Sequence, residues 1–316
     1  MRLAFLGTPA FAVPTLERIV EAGHRVLLVV TQPDRPRGRG QKLTPSPVKE
    51  AAGRLRLPVF QPERVRRPEA VGRLQELAAE AMVVVGYGQI IPQSIIDLAP
   101  LGIINVHASL LPKYRGAAPV QWAILNGETS TGVTTMRIDA GLDTGDMLLK
   151  ARREIGAEEN AIELGNRLAI LGADLLITTL EHLARGDLIP ERQNSAEATY
   201  APLLKKEDGM IDWRQPAGAI HNRVRGLQPW PGAYTRVRGH TLHIWKSRVG
   251  SETVRSSNGA SVPGRVVTLK PLMVSCGAGA LELLDVQLEG RKRVSAADFI
   301  NGRHMTENDS LGESQP

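Results

Sequence analysis

The first thirty residues alternate between short apolar runs and one helical pattern, and this alternation restricts the chain to few folds. Leu3 to Leu6 is typical of a buried strand, Pro14 to Ala22 of a helix, and His24 to Thr31 of a second strand. A strand, a helix and a second strand in succession normally form a parallel pair with a crossover. We therefore predict an α/β fold with a doubly wound, mostly parallel, Rossmann-like sheet. The sequence contains neither Gly-x-Gly-x-x-Gly nor a Walker loop, which argues against NAD and ATP as ligands.

The last third of the chain has a different pattern. Five β-rich runs with glycine turns predict a small OB-like β-barrel, a fold often used on nucleic acids: Ala233 to Val237, Thr241 to Ser247, Gly264 to Leu269, Met273 to Ser275 and Leu281 to Val286. A length of 316 residues suits two domains. We expect a catalytic domain over 1–186, a linker over 187–205, the β-domain over 206–304 and a disordered tail over 305–316.

The charge distribution suggests an anionic partner. The net charge is +6, and residues 206–300 alone hold 14 Lys and Arg against 8 Asp and Glu. A second basic cluster, Arg35, Arg37, Arg39 and Lys42, lies in a proline- and glycine-rich segment predicted to be a mobile loop. An ordinary solvated loop is the alternative by composition. The loop follows the C-terminal end of a strand, however, so its arginines would face a ligand crevice, where they can contact phosphates.

Cysteine content and hydropathy indicate a cytoplasmic protein. Cys276 is the only cysteine, so no intrachain disulfide forms, and we expect this residue to serve packing rather than chemistry. The N-terminus resembles a signal peptide at first, but Gly7-Thr8-Pro9 interrupts its apolar run. No stretch approaches the ~20 apolar residues that cross a membrane.

The stretch from Gly102 to Met147 carries the residues best suited to chemistry. Gly102 to Val106 is typical of a buried parallel strand, in which Asn105 and His107 lie on the same side. Asp143 follows in a glycine-rich loop with Asp139 and Asp146. An amide can stabilise an oxyanion and an imidazole can move a proton near neutral pH, so this set suits acyl transfer between amines. A structural role for His107, or a metal held by the three aspartates, is the alternative.

These motifs resemble those of the folate-dependent formyltransferases. The similarity rests on Asn105-x-His107-x-Ser109-Leu110-Leu111-Pro112-x-x-Arg115-Gly116 and Gly141-Leu142-Asp143-Thr144-Gly145-Asp146, and it extends from LGTPAFAVPTL near the start to NRVRGLQPWPGAYT in the last third. The resemblance implies a formyltransferase fold, 10-formyltetrahydrofolate as donor, and Asn105, His107 and Asp143 as the catalytic set. It also implies folate contacts along two segments and at Asp143; the segments are Val85, Gly86, Tyr87, Gly88, Gln89 and Ile90, and Ser109, Leu110, Leu111 and Pro112.

The chain most resembles the family members that formylate the methionine carried by initiator tRNA. In them the loop matching the basic cluster is an insertion that contacts the acceptor end, and Arg39 matches its key arginine. The resemblance thus predicts initiator Met-tRNA as partner, reached by Arg35, Arg37, Arg39 and Lys42. We expect a monomer that requires no metal and no membrane. The alternatives are a folate-dependent formyltransferase for a small amine, and a non-catalytic tRNA-binding protein.

Overall fold

Residues 1–37, 42–250, 262–302, 304–307 and 309–312 are described by the computed structural model. Contacts divide the chain into two units. The first unit comprises Met1–Pro119, Thr131–Glu154 and Gly165–Ala201, and the second comprises Val120–Ser130, Ile155–Leu164 and Pro202–Pro316. The predicted domains were continuous segments, whereas the second unit also includes two segments that lie within the range predicted for the catalytic domain.

The helices and strands follow the predicted order closely. In chain order they are β1 (Arg2–Gly7), α1 (Val13–Glu21), β2 (Arg25–Val30), β3 (Arg35–Arg37), β4 (Lys42–Thr44), α2 (Pro47–Arg54), β5 (Val59–Phe60), α3 (Pro68–Glu76), β6 (Ala81–Val85), α4 (Gln93–Ile96), β7 (Ile103–His107), β8 (Arg115–Gly116), α5 (Pro119–Leu125), β9 (Ser130–Arg137), β10 (Met147–Glu154), α6 (Ala161–Arg185), β11 (Tyr200–Ala201), α7 (Ala217–Gly226), β12 (Ala233–Val237), β13 (His240–Val249), β14 (Val266–Leu269), β15 (Leu272–Ser275), β16 (Ala280–Leu288), β17 (Val294–Ser295) and α8 (Ala296–Asn301).

The first unit is built on a seven-stranded sheet in the order β10-β9-β7-β6-β1-β2-β5. Strands β5, β2, β1, β6 and β7 pair in parallel, and β7 pairs with β9 in antiparallel orientation. The predicted doubly wound, mostly parallel sheet is therefore confirmed. The chain goes from β1 toward β5 on one side and returns to β6 on the other, so the order reverses between β1 and β6. Open α/β sheets bind ligands at such a point, beyond the C-terminal ends of their strands.

Helix α6 packs against the strands that lead into the predicted site. Gly172 of α6 is buried, and a Cβ atom there would lie 2.7 Å from Cγ1 of Val106 in β7 and 3.2 Å from Cγ1 of Val133 in β9. The same helix face bonds the sheet at Thr179, whose hydroxyl lies 2.8 Å from that of Thr135. A glycine at this point lets the helix backbone approach β7 closely.

The predicted basic loop contains a short hairpin. Strands β3 and β4 pair in antiparallel orientation, and polar contacts hold the hairpin's base. Lys49 Nζ lies 2.6 Å from Asp34 Oδ2, Gln61 Nε2 donates to Asp34 Oδ1 at 2.8 Å, and the hydroxyls of Thr31 and Ser46 lie 2.7 Å apart. The base of the hairpin is thus attached to the sheet and to helix α2.

The second unit contains an antiparallel sheet in the order β12-β13-β16-β15-β14, with β17 paired to β16. In β13, Leu242 and Ile244 are buried while His243 and Trp245 face outward and stack, as the alternation of a half-buried strand requires. The β-rich class predicted for this part of the chain is confirmed, and its closure into a barrel stays a prediction. The short helix α8 was not predicted, because its six residues offer too little periodicity.

Two segments differ from the linker and the tail that we predicted. Within 187–205, Tyr200–Ala201 pairs with β8 in parallel and Glu191 forms a bridge with Met147, so this part of the segment belongs to the first unit. In the tail, Met305 and Leu311 are buried in the core of the second unit. The polar composition of the two segments gave no indication of these contacts. A few hydrogen bonds or two apolar side chains are enough to anchor such segments.

Replacing Gly172 with alanine should lower stability although it sits in a helix. Gly to Ala in an open helix position stabilises by about 0.5–1 kcal/mol, but overpacking against Val106 and Val133 costs roughly 1–3 kcal/mol. Gly165→Ala is the matched control, since its Cβ would meet nothing within 4 Å. Urea unfolding should show a lower midpoint for Gly172→Ala and an equal or higher midpoint for Gly165→Ala. Equal midpoints for the two variants would contradict the close approach of α6 to β7.

Candidate active site

Strand β7 carries two polar side chains at its C-terminal end. Asn105 and His107 are two residues apart on this strand and so lie on the same side of it. Asn105 is partly exposed and its amide makes no hydrogen bond with the part of the chain that the structure describes. Both amide hydrogens are therefore available to a bound substrate. The neighbours Ile104 and Val106 are buried and fix the strand.

The buried ring of His107 is held in one orientation. Its Nε2 lies 2.9 Å from the backbone oxygen of Tyr114. A carbonyl oxygen can only accept, so Nε2 carries a hydrogen and donates it. Nδ1 is then the nitrogen left for chemistry, and it lies 3.7 Å from Oδ2 of Asp143. This distance is too long for a hydrogen bond, and the contact becomes an ion pair only when the ring is protonated. Catalytic contacts of this kind often tighten when substrate binds.

Asp143 lies in a loop that is held by its own polar groups. Its φ is 53°, in the left-handed region that non-glycine residues seldom occupy. Oδ2 accepts the backbone N–H of Gly116 at 2.9 Å. Nearby, the carboxylate of Asp139 accepts from the hydroxyl of Thr144 and from the N–H of Gly141. The Asp139 carboxylate is therefore engaged in shaping the loop.

Sequence analysis did not identify Gln193 as part of this site. Its Nε2 donates to the backbone oxygens of Asp143 and Gly145 at 2.8 and 2.7 Å, and its Oε1 accepts from Arg115. Gln193 lies in the segment that we interpreted as a linker, 50 residues from Asp143 in sequence. No pattern in the polar run around it indicated this contact. Arg115 and Gly116, in contrast, were part of the motif from Asn105 to Gly116 on which the family resemblance rests.

The segment predicted to bind folate lies at the point where the strand order reverses. Gly86 follows β6 with φ 55°, and a Cβ there would lie 2.9 Å from Cγ of Pro9. Thr8, just after β1, donates its hydroxyl hydrogen to the backbone oxygen of Tyr87 at 3.0 Å. Val85 and the ring of Tyr87 are buried among apolar residues, and this burial raises the pKa of Tyr87 to about 12. Their side chains thus belong to the core.

In the rest of this segment, Gln89 is held by hydrogen bonds, whereas Gly88 and Ile90 are exposed. Gln89 is held by its own hydrogen bonds, accepting the N–H of Val65 at 2.8 Å and donating to the side chain of Gln32 at 3.3 Å. Gly88 has φ 84° and Ile90 is 89% exposed. A flat ligand could therefore reach the glycine backbone and the Ile90 side chain. The folate contacts of residues 85–90 stay a prediction.

The Ser109 to Pro112 segment is held by hydrogen bonds and by packing against neighbouring side chains. Ser109 is fully buried, and its hydroxyl donates to the backbone oxygen of Lys113 at 2.6 Å. The side chain of Leu111 packs with Met136 and Met147. Thr134, opposite His107 in β9, binds the backbone at both Ser109 and Leu111. These contacts hold the turn after β7 in place, and the predicted folate contacts of Ser109, Leu110, Leu111 and Pro112 also stay predictions.

Three of the four predicted tRNA contacts, Arg35, Arg37 and Lys42, belong to strands β3 and β4. Arg35 is exposed, and its guanidinium lies 3.7 Å from the carboxylate of Glu63. Such an exposed pair contributes little to stability and is easily exchanged for another anion. Arg39 lies outside the described residues, as do the side chains of Arg37 and Lys42. Among the described residues no helix is both long and apolar enough to cross a membrane.

The geometry suits transfer of an acyl group between two amines. A neutral amide donor, an imidazole with one free nitrogen and a carboxylate lie at the C-terminal edge of a parallel sheet. Family comparison agrees: the Formyl transferase model matches residues 1–180, and the Formyl transferase, C-terminal domain model matches residues 203–304. The chain belongs to the formyl transferase family.

Comparison with individual proteins gives more detail than the family models. The chain is 70% identical over 313 residues to the methionyl-tRNA formyltransferase of Solibacter usitatus, covering 99% of each chain. It is 56% identical over 315 residues to that of Koribacter versatilis, again over 99% of each. The fold is also similar to HypX from Aquifex aeolicus, solved in complex with tetrahydrofolic acid, with a TM-score of 0.65 and 18% identity. That match covers 95% of this chain, which spans about half (47%) of HypX.

We expect Cys276 to be unreactive in the native protein. It is buried in the core of the second unit, and this burial raises the pKa of its thiol to about 12. Only the thiolate reacts, and the thiolate fraction at pH 8 is then roughly 10⁻⁴. Labelling by an alkylating reagent at pH 8 should be at least about 100-fold slower in the native protein than in urea. Fast native labelling would place the thiol at the surface, and Cys276→Ser is the blank.

Proposed function

We propose that this protein transfers the formyl group of 10-formyltetrahydrofolate to the α-amine of methionyl-initiator-tRNA. The observation that carries the proposal is the similarity to methionyl-tRNA formyltransferases over 99% of both chains. This similarity includes the C-terminal domain as well as the acyl-transfer site. A chain that acts on a small amine would not need the net positive charge of residues 206–300.

The donor supplies the formyl group when bound. Gly86 and Gly88 allow its flat ring to approach the backbone at the reversal point of the sheet, beside the exposed Ile90. Asp143 and Asn105 then lie at the edge from which an amine would attack. The fit of these groups supports the folate assignment.

Asn105 and His107 have different roles in the proposed reaction. Negative charge develops on the formyl oxygen as the amine attacks, and the free amide hydrogens of Asn105 can stabilise it. His107 receives the proton of the attacking amine on Nδ1, because Nε2 is committed to Tyr114. It then passes this proton to the tetrahydrofolate nitrogen as the bond between that nitrogen and the formyl carbon breaks. Asp143 stabilises the resulting imidazolium across the 3.7 Å contact. No covalent intermediate with the protein is required, since the acceptor amine is itself the nucleophile.

The proposal is tested by assaying formyl transfer from 10-formyltetrahydrofolate to charged initiator tRNA. Free methionine and elongator methionyl-tRNA serve as alternative acceptors. Formylmethionyl-tRNA should form much faster than formylmethionine. Transfer to free methionine alone would favour a formyltransferase for small amines, and tRNA binding without transfer would favour a non-catalytic tRNA-binding protein. Sedimentation of the same preparation tests the proposed monomer, and cell fractionation tests the proposed cytoplasmic location.

Removal of either catalytic side chain should reduce turnover. His107→Ala removes the proton acceptor and Asn105→Ala removes the oxyanion donor, and each loss should lower kcat by about 10²-fold or more. Single-turnover formylation measures the effect. Circular dichroism spectra equal to that of the wild type ensure that the variants are folded. Near-normal turnover of His107→Ala would exclude the proposed role of this ring.

The basic hairpin should govern tRNA binding. Arg35→Ala or Arg39→Ala should raise the KM for charged tRNA and leave the KM for the folate donor unchanged. Each lost phosphate contact should also make the slope of log affinity against log salt less steep, by about 0.7–0.9. Arg54→Ala is a matched control, because this exposed arginine on α2 pairs with Glu17 away from the hairpin. An unchanged KM and salt slope in both variants would show that the basic cluster does not contact tRNA.

A further inference from the structure

Gln193 is nearly fully buried and uses its whole amide on the site. Both hydrogens of Nε2 have acceptors, the backbone oxygens of Asp143 and Gly145, at 2.8 and 2.7 Å. These two oxygens lie on either side of Thr144, so one side chain holds the loop at two points. With 7% of its surface exposed, Gln193 has little access to water. The loss of its amide would leave two carbonyl groups without these partners.

Arg115 determines which way this amide points. Its Nε and Nη2 donate to Oε1 of Gln193 at 3.0 and 2.8 Å. A guanidinium has donors only, so the amide oxygen must face it and the NH2 group must face the loop. Arg115 itself is 3% exposed and lies in β8, which pairs with β11. The orientation of Gln193 therefore depends on a buried side chain rather than on solvent.

The loop needs such support because Asp143 is strained. A left-handed backbone at a non-glycine residue costs of order 1–3 kcal/mol and persists only where its surroundings impose it. The carboxylate is held separately, by the N–H of Gly116. Tyr114, the second residue before it, accepts from His107 Nε2. Three consecutive residues, 114–116, thus hold the imidazole, the Gln193 amide and the carboxylate.

We propose that Gln193 is a positioning residue: oriented by Arg115, it holds the backbone of the Asp143 loop so that the Asp143 carboxylate faces Nδ1 of His107. The proposal rests on the proposed function, since it assigns a role in the formyl-transfer reaction. Gln193 touches no reacting atom and acts through Asp143. Its effect should therefore appear in turnover and depend on the presence of the Asp143 carboxylate.

Gln193→Glu is the decisive variant. Glutamate keeps an oxygen for Arg115 but replaces the NH2 group with an oxygen that repels the carbonyls of Asp143 and Gly145. Displacement of the loop by about 1 Å can cost up to about 10²-fold. We expect kcat to fall by about 10- to 100-fold, with the KM for tRNA within about threefold of the wild type. Gln193→Met, which lacks the donors without adding charge, repeats the test should the glutamate variant not fold.

A double-mutant cycle separates positioning from a general structural role. In an Asp143→Asn background the carboxylate is absent, so Gln193→Glu should lower the single-turnover rate by less than about twofold further. The same exchange at the exposed Gln75 of α3 is the control and should leave kcat unchanged. Normal kcat in Gln193→Glu, or an equal loss in both backgrounds, would overturn the proposal. A wild-type protein that transfers no formyl group would instead overturn the proposed function.

Discussion

The hydrogen bond from His107 Nε2 to the backbone oxygen of Tyr114 determines how the rest of the site can work. It assigns one ring nitrogen to structure and leaves the other, on the side of Asp143, for proton transfer. The bond depends on a turn that brings the chain back over the end of β7 within seven residues. Hydrogen bonds of the Thr134 and Ser109 hydroxyls hold this turn in place. A proton acceptor of defined orientation therefore results from backbone geometry.

The sheet supplies the second requirement, which is a place where two ligands can meet. The strand order reverses between β1 and β6, the point at which open α/β sheets bind ligands, and β7 lies next to β6. Gly86 and Gly88 follow β6, while Asn105 and His107 belong to β7, which ends at His107. Helix α6 stabilises this arrangement from one face, through the close packing of Gly172 on Val106.

Much of this arrangement could be predicted from the sequence, because it depends on local patterns. Strand β7 was predicted within one residue of its observed bounds, and the side shared by Asn105 and His107 follows from strand alternation alone. The role of Gln193 could not be predicted, since a glutamine in a polar run gives no indication of a contact 50 residues away. The anchoring of 305–312 was missed for a similar reason: only Met305 and Leu311 are apolar, and two residues have no periodicity.

The parallel pairing of Tyr200–Ala201 with β8 has a consequence for the smallest fragment that could retain a complete catalytic centre. The N-terminal family model ends at residue 180, yet the backbone oxygens of Thr199 and Ala201 accept the N–H groups of Arg115 and Ala118. A fragment shortened to the family boundary would keep every strand of the large sheet. It would lose the hydrogen bonds that hold residues 114–116, which in turn contact His107 and Asp143. Dissection of this enzyme therefore has to cut beyond Ala201, since the boundary defined by homology lies about twenty residues before the boundary set by hydrogen bonding.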